Sequence, residues 1–321
     1  MVTFLILDMK EKLKVAVVDM FTSPPTTRLC EALESRGRCQ VFFLGCREEH
    51  PSFKNTNIPI KRWKRSLTLS YRTFPLLPKF ISQHLIPHLL RTLNEIDPHI
   101  VNVHEHVHIC TSFPPALFKG GWRTILTEHG CRWKRKRDKI LTPLARYFLF
   151  PFIDGFVAIT PAARKFLEAN GAKDVRVIGN PINVKLFYPQ KRIGERENVV
   201  LFVGRLHPIK GLTFLLLAMK ELTHEIPDIR LLIVGGGPLE PIVRKLSSKY
   251  DFINYLGSKP GEELPKYYNA AKVFVLPSIH EPFGMVLAEA MACGTPVVGS
   301  NIEGIPHVTG DAGILVAPRD Y

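Results

Sequence analysis

The chain has 321 residues and carries 43 Lys plus Arg against 29 Asp plus Glu, a formal charge of +14. With 45% apolar and 22% charged residues it has the balance of a soluble globular chain, which excludes intrinsic disorder, a collagen-like repeat and a coiled coil. The length favours two domains, and the charge divides unequally between them. Through Gln190 there are 29 basic and 15 acidic residues, and beyond it 14 of each.

Short apolar runs alternate with helical patterns along the whole chain, the signature of strand-helix-strand units and a parallel sheet covered on both faces. In the first half strands are predicted at Lys14–Asp19, Gln40–Leu44, Ile100–His104, Thr124–Glu128, Gly155–Ile159 and Val175–Ile178. Thr160 suits an N-cap, Pro161 the first helical position, and Gly171 the end of that helix. The polar, unpatterned stretch Pro189–Asn198 reads as a linker. It separates a domain at 1–190 from one at 191–321, where strands are predicted at Val199–Val203, Arg230–Val234, Ile253–Leu256, Val273–Leu276, Pro296–Gly299 and Ile314–Val316. The expected architecture is α/β, two doubly wound Rossmann-like domains with a ligand cleft at the carboxyl ends of their strands.

The six cysteines show no Cys-x-x-Cys spacing and read as free thiols of a reducing cytoplasm. No uncharged apolar run reaches the roughly 18 residues of a membrane span: Phe80–Leu90 is too short, and Arg146 interrupts Ile140–Ile153. The N-terminus has no charged region ahead of its apolar stretch, so a signal peptide is not expected.

The strongest chemical signal is His280-Glu281-Pro282-Phe283-Gly284-Met285-Val286-Leu287-Ala288-Glu289-Ala290, directly after a predicted strand. Pro282 and Gly284 suit a tight turn, and the run from Val286 suits a helix whose first amides can bind an anion. Glu281 and Glu289 are carboxylates suited to accept hydrogen bonds from sugar hydroxyls. The spacing alone is equally compatible with an exposed helix bearing two solvated glutamates. A second signal is Gly204-Arg205-Leu206-His207-Pro208-Ile209-Lys210-Gly211. Two cations on a glycine-bounded loop at a strand's carboxyl end suit a diphosphate, Arg205 as a fork and Lys210 as a point charge. The cluster Gly235-Gly236-Gly237 has the look of a phosphate-approach loop, a weak sign by itself.

Together these residues resemble the family 4 retaining nucleotide-sugar glycosyltransferases (glycosyl transferases group 1), which have the two-domain GT-B fold. The likeness covers nearly the whole chain. It rests on the Glu281/Glu289 pair, the Gly204-Arg205-Leu206 to Lys210-Gly211 loop, Gly179-Asn180-Pro181-Ile182-Asn183 leading to Phe187-Tyr188-Pro189, and Leu256-Gly257 followed by Glu262–Tyr268. The resemblance implies that Arg205 and Lys210 neutralise the diphosphate leaving group and that Glu281 holds the donor-sugar hydroxyls. It also implies that the backbone at Phe283, Gly284, Met285 and Val286 meets phosphate, that Glu289 takes the ribose hydroxyls, and that Gly204 and Gly257 line the donor. His129, in Thr127-Glu128-His129-Gly130, matches the family's histidine beside the reacting carbon. Retention of configuration and a reaction without bound metal or other cofactor follow from the same likeness, and the chain has no Asp-x-Asp motif.

Three features depart from the family pattern. The first strand-to-helix loop reads Phe21-Thr22-Ser23-Pro24-Pro25-Thr26 in place of paired glycines. The resemblance places further helices, crossing back to the first domain, beyond Tyr321, and it offers no counterpart for Met1–Asp8. His104-Glu105-His106-Val107-His108 would align three histidines on one strand face. Its first histidine, however, matches a strand-ending histidine of the family, and no cysteine or carboxylate cluster stands near it in the sequence. Zinc is therefore not the favoured reading.

The basic excess concentrates in Lys61–Arg65 and Arg132–Arg137, each with a tryptophan and each near an apolar helical stretch. This favours an anionic membrane surface over nucleic acid, for which no recognition fold is present. The expected protein is a cytoplasmic glycosyltransferase, associated with the inner face of the membrane, that moves a sugar from a UDP- or GDP-linked donor to a lipid-linked or polysaccharide acceptor. The alternatives are a nucleotide-sugar-binding fragment without turnover, and a nucleotide-sugar epimerase or hydrolase.

Overall fold

The computed structural model describes residues 12–19, 24–45, 60–62, 87–105, 109–130 and 138–320. The chain forms two compact units, Met1–Pro181 and Ile182–Tyr321.

In the first unit the elements run β1 (Leu13–Asp19), α1 (Pro24–Ser35), β2 (Cys39–Gly45), β3 (Ile60–Arg62), α2 (Pro87–Ile96), β4 (Ile100–His104), α3 (Ile109–Leu117), β5 (Arg123–Glu128), α4 (Asp138–Phe148), β6 (Gly155–Ala158), α5 (Pro161–Ala169) and β7 (Val175–Val177). Among the described residues the strands form one sheet in the order β3-β2-β1-β4-β5-β6-β7, every pair parallel. The alternation of a strand covered on both faces is visible in β1. Val15 and Val17 pack with Cys30, Val41 and Phe43 on one side, while Ala16 and Val18 pack with Leu44, Leu89 and Leu93 on the other. Helix α5 has the ends its sequence indicates: Thr160 Oγ1 accepts the Ala163 amide at 3.2 Å, and Gly171 has φ +92°.

The second unit runs β8 (Glu197–Val203), α6 (Leu212–Glu225), β9 (Arg230–Val234), α7 (Glu240–Lys249), β10 (Ile253–Tyr255), α8 (Leu264–Ala270), β11 (Ala271–Leu276), α9 (Met285–Ala292), β12 (Val297–Ser300), α10 (Ile305–Thr309) and β13 (Gly313–Val316). Its parallel sheet has the order β10-β9-β8-β11-β12-β13. Val199, Leu201 and Val203 of β8 face a core with Phe187, Tyr268 and Leu287; Val200 and Phe202 face Leu206, Leu212 and Leu215. In each unit the strand order reverses beside the first strand, between β1 and β4 and between β8 and β11. Ligands of open α/β sheets bind at such switch points, at the carboxyl ends of the strands.

Two features differ from the sequence expectation. Strand β3 is three residues long and pairs with β2 along Phe43–Gly45; two of its three residues, Lys61 and Arg62, are cations that read as part of a charge cluster and not as an apolar run. The other basic residues of Lys61–Arg65, all of Arg132–Arg137, and His106 and His108 lie outside the described residues. The second difference is the polar stretch after Pro189, which is anchored to the second unit. Gln190 N donates to Asn269 Oδ1 at 2.6 Å, and Asn269 Nδ2 donates to Tyr188 O at 3.1 Å. Arg196, only 5% exposed, donates to the carbonyls of Tyr268, Ala271 and Cys293 and to Thr295 Oγ1 at 2.6–3.2 Å. Burial pulls its guanidinium below the usual arginine range, and these acceptors keep the charge inside.

Arg196→Met should therefore destabilise the chain by about 3 kcal/mol, because it leaves several buried acceptors unpaired. Urea denaturation followed by circular dichroism measures this; a loss below about 0.5 kcal/mol would show that the network contributes little.

Candidate functional site

The site of the second unit is assembled from loops at the carboxyl edge of its sheet. The loop after β8 runs from Gly204 to Gly211, with Arg205 exposed and Leu206 buried. It is stitched to the loop after β9 by Leu206 N to Gly236 O at 2.9 Å and Leu239 N to Leu206 O at 3.0 Å, and to the loop after β11 by Ile279 N to Ile209 O at 2.8 Å. Two of these approaches exclude a side chain. A Cβ on Gly211, where φ is +69°, would lie 1.8 Å from Pro277 O, and one on Gly235 would lie 1.9 Å from Gly204 O. Gly235 thus has a packing reason within the protein, a simpler account of the glycine cluster than phosphate approach.

The stitching brings Lys210 and Glu281 together at the β8/β11 switch point. Lys210 Nζ donates to Glu281 Oε2 in an ion pair whose side chains are 20% and 11% exposed. Ser278 Oγ, buried, lies 3.4 Å from the same oxygen. A carboxylate this far from water costs several kcal/mol unless paired, and the lysine meets that cost. Glu289 is more deeply placed, 4% exposed, and accepts the Tyr268 hydroxyl at 2.9 Å. Both burials exclude an exposed helix with solvated glutamates. The interior character of this end of α9 also shows at Cys293, whose thiol is pushed up to about 11 by burial and then by the Glu289 charge.

Between the two glutamates lies the start of α9. Its N-cap is Gly284, which offers no side-chain acceptor. The first amide bonds of the helix are Leu287 N and Ala288 N to Gly284 O, so the Met285 and Val286 amides precede the intrahelical ladder and point along the positive end of the helix. Phe283 is buried at the turn, while Gly257 ends the strand region of β10 with φ +72°, its carbonyl accepting Gly235 N at 2.9 Å. An anion at α9 would therefore meet backbone donors, a lysine and a carboxylate within one small set of loops.

In the first unit, His129 follows β5 and His104 ends β4, the strand beside that sheet's switch point. His104 Nδ1 and His129 Nε2 are 2.6 Å apart, with the rings stacked at 4.8 Å and 23°. One ring donates and the other accepts, so each fixes the other's orientation. The sequence indicates His129 and matches His104 to a strand-ending histidine of the family pattern; that the two rings meet is visible only in the structure. Among the described residues no group of three or more His, Cys, Asp or Glu is placed to hold a metal ion. The sequence does not single out Ser278 or Tyr268 as site residues; Tyr268 closes the Glu262–Tyr268 stretch that carries part of the resemblance, and its hydroxyl's reach to Glu289 marks it individually.

Residues 26–186 match the model described as Glycosyltransferase Family 4, and residues 185–321 the model described as Glycosyl transferases group 1. The chain belongs to glycosyltransferase family 4. It is 39% identical over 129 residues to O-antigen chain mannosyltransferase B of Escherichia coli, covering 39% of this chain and 34% of that protein. It is 35% identical over 183 residues to D-inositol 3-phosphate glycosyltransferase of Segniliparus rotundus, covering 51% and 41%. The matches thus span less than half the length of these two relatives. The fold is similar to that of Anabaena HepE, solved in complex with UDP and glucose, with a TM-score of 0.73, 19% identity, and 96% of this chain and 86% of that one covered. The two units of this family 4 chain are accordingly the Rossmann-like domains of a GT-B protein.

Gly211→Ala should break the junction that presents Lys210 to Glu281, through both its left-handed backbone and the overlap with Pro277. A cost of about 2–3 kcal/mol is expected; an unchanged melting temperature would mean that the two loops separate freely.

Proposed function

We propose that this chain transfers a sugar from a UDP- or GDP-linked donor to a lipid-linked or polysaccharide acceptor, with retention of configuration and without a bound metal. The observation that carries the reading is the Lys210–Glu281 pair beside the first turn of α9, at the switch point of the second sheet. In this reading the second unit holds the donor and the first serves the acceptor. The mannosyltransferase and inositol-phosphate glycosyltransferase relatives support transfer chemistry of this class.

Transfer breaks the bond between the anomeric carbon and the diphosphate oxygen, which leaves with the electron pair, and forms a bond from the acceptor oxygen to that carbon. Attack on the face of departure lets the acceptor proton pass to the leaving phosphate and preserves configuration. Negative charge grows on the diphosphate, and preoriented donors lower the barrier most where that charge appears. Lys210 has three N–H donors, so it can keep Glu281 and also meet a phosphate oxygen. Arg205 and the α9 amides add to it. Glu281, oriented by Lys210, is assigned to donor-sugar hydroxyls, Glu289 to the ribose hydroxyls, Gly204 and Gly257 to the donor's surroundings, and His129 to the reacting sugar.

Incubating the chain with UDP- or GDP-sugars and acceptor extracts, with product read by mass spectrometry, tests this reading. Lys210→Ala and Glu281→Ala should each lower turnover about 100- to 1,000-fold. Undiminished turnover in both variants would overturn the residue assignments. Donor consumed without acceptor would point to an epimerase or hydrolase, and nucleotide binding without product to a binding protein.

An anionic membrane at the cytoplasmic face is the proposed setting. No helix among the described residues is long and apolar enough to cross a membrane. Helix α4, which follows the basic run Arg132–Arg137 in the sequence, exposes Leu144, Tyr147 and Phe148, with the Arg146 guanidinium 5.6 Å from the Tyr147 ring centre, and exposed aromatic side chains with cations suit a headgroup interface. Cosedimentation with anionic vesicles should occur at low salt and weaken at high salt; no binding at low salt would remove the membrane from the proposal.

A further inference from the structure

Glu303 lies three residues beyond β12 with φ +44°, a left-handed backbone that glycine enters freely and a glutamate adopts only at a cost. Its carboxylate reaches back to the turn that carries Glu281. Oε1 lies 2.7 Å from His280 Nδ1, and Oε2 accepts the Glu281 amide at 2.8 Å. The next residue closes the loop from the other side, Gly304 N donating to Glu281 O at 3.2 Å. Both backbone groups of Glu281 are therefore held by residues 303 and 304, while its side chain is held by Lys210.

A residue in an unfavourable backbone conformation persists where its surroundings over-determine it. Here the surroundings are two bonds to the turn of the candidate site, made by the side chain that glycine lacks. The contact also sorts the donors of the turn: the Glu281 amide is committed to Glu303, and the anion-facing amides are those at the start of α9. We propose that Glu303 is a positioning residue, which fixes the height and direction of Glu281 against the first turn of α9 and so sets affinity for the diphosphate donor. The proposal rests on the reading of Lys210, Glu281 and α9 as the donor site.

Glu303→Gly removes the carboxylate and relieves the backbone, whereas Glu303→Gln keeps an acceptor for the Glu281 amide. With the full 321-residue chain, three measurements separate the outcomes: melting temperature, amide hydrogen exchange of residues 280–286 by mass spectrometry, and calorimetric binding of UDP and of GDP. Glu303→Gly should melt at or above the wild-type temperature, exchange about tenfold faster across 280–286 and bind the nucleotide about tenfold more weakly, consistent with loss of a charge-assisted hydrogen bond. Glu303→Gln should stay within about threefold of wild type. Wild-type exchange and binding in Glu303→Gly would overturn the proposal, as would a lower melting temperature with faster exchange throughout the second unit, which would make Glu303 a general structural residue. If the wild type binds neither UDP nor GDP, the donor reading fails, while the exchange of 280–286 still decides whether Glu303 holds the turn.

Discussion

A lysine and a glutamate, each costly to take from water alone, are joined where the strand order of the second sheet reverses, and the surrounding loops are arranged to keep them there. The Lys210–Glu281 pair links a loop after β8 to a turn after β11, two segments 71 residues apart. Because the carboxylate is nearly buried, the pair tolerates little displacement: removing either partner leaves a charge in a poor medium. Gly211 against Pro277 and the Ile279–Ile209 bond supply the rigidity that this demands. The start of α9 is thereby presented with a lysine and a carboxylate already in place, the kind of preorganisation that lowers the barrier to charge development.

The same topology gathers polar side chains at corresponding places in both units. Parallel strands covered on both faces leave only their carboxyl ends for polar side chains, and the order reversal separates neighbouring loops so that a ligand can enter. In the second unit that place holds Lys210 and Glu281; in the first, the adjacent strands β4 and β5 end in His104 and hold His129 close to it. The two histidines are 25 residues apart in the chain and meet only because their strands are neighbours.

Much of the fold is legible in the residues. Apolar runs of three to six residues mark the strands, since each must bury both faces, and Thr160, Pro161 and Gly171 mark the ends of one helix. The short β3 is not legible, because two of its three residues are cations and form no apolar run. Nor is the role of Arg196, a charged residue in a polar stretch that resembles a linker until its guanidinium is seen to collect five acceptors around it. The candidate site divides in the same way. Glu281, Glu289, Arg205, Lys210 and His129 stand in recognisable local patterns, whereas Tyr268 and Glu303 are marked only by partners on other segments or by backbone conformation.

By itself the sequence determined the class of fold, because local spacing encodes strand, turn and helix start, and its resemblance indicated the family; it offered Arg205, Lys210, Glu281 and Glu289 as candidates to meet a phosphorylated sugar. Only the tertiary structure decided that both glutamates are buried, that Lys210 is committed to Glu281, and that a glutamate in a left-handed backbone ties down the turn between them. Pairing, burial and strain depend on which distant segments come together, and no local pattern of residues records that. The charge of +14 keeps the same division. The sequence assigns it to the first half, while in the second half, with 14 basic and 14 acidic residues, the fold alone specifies that Lys210 meets Glu281.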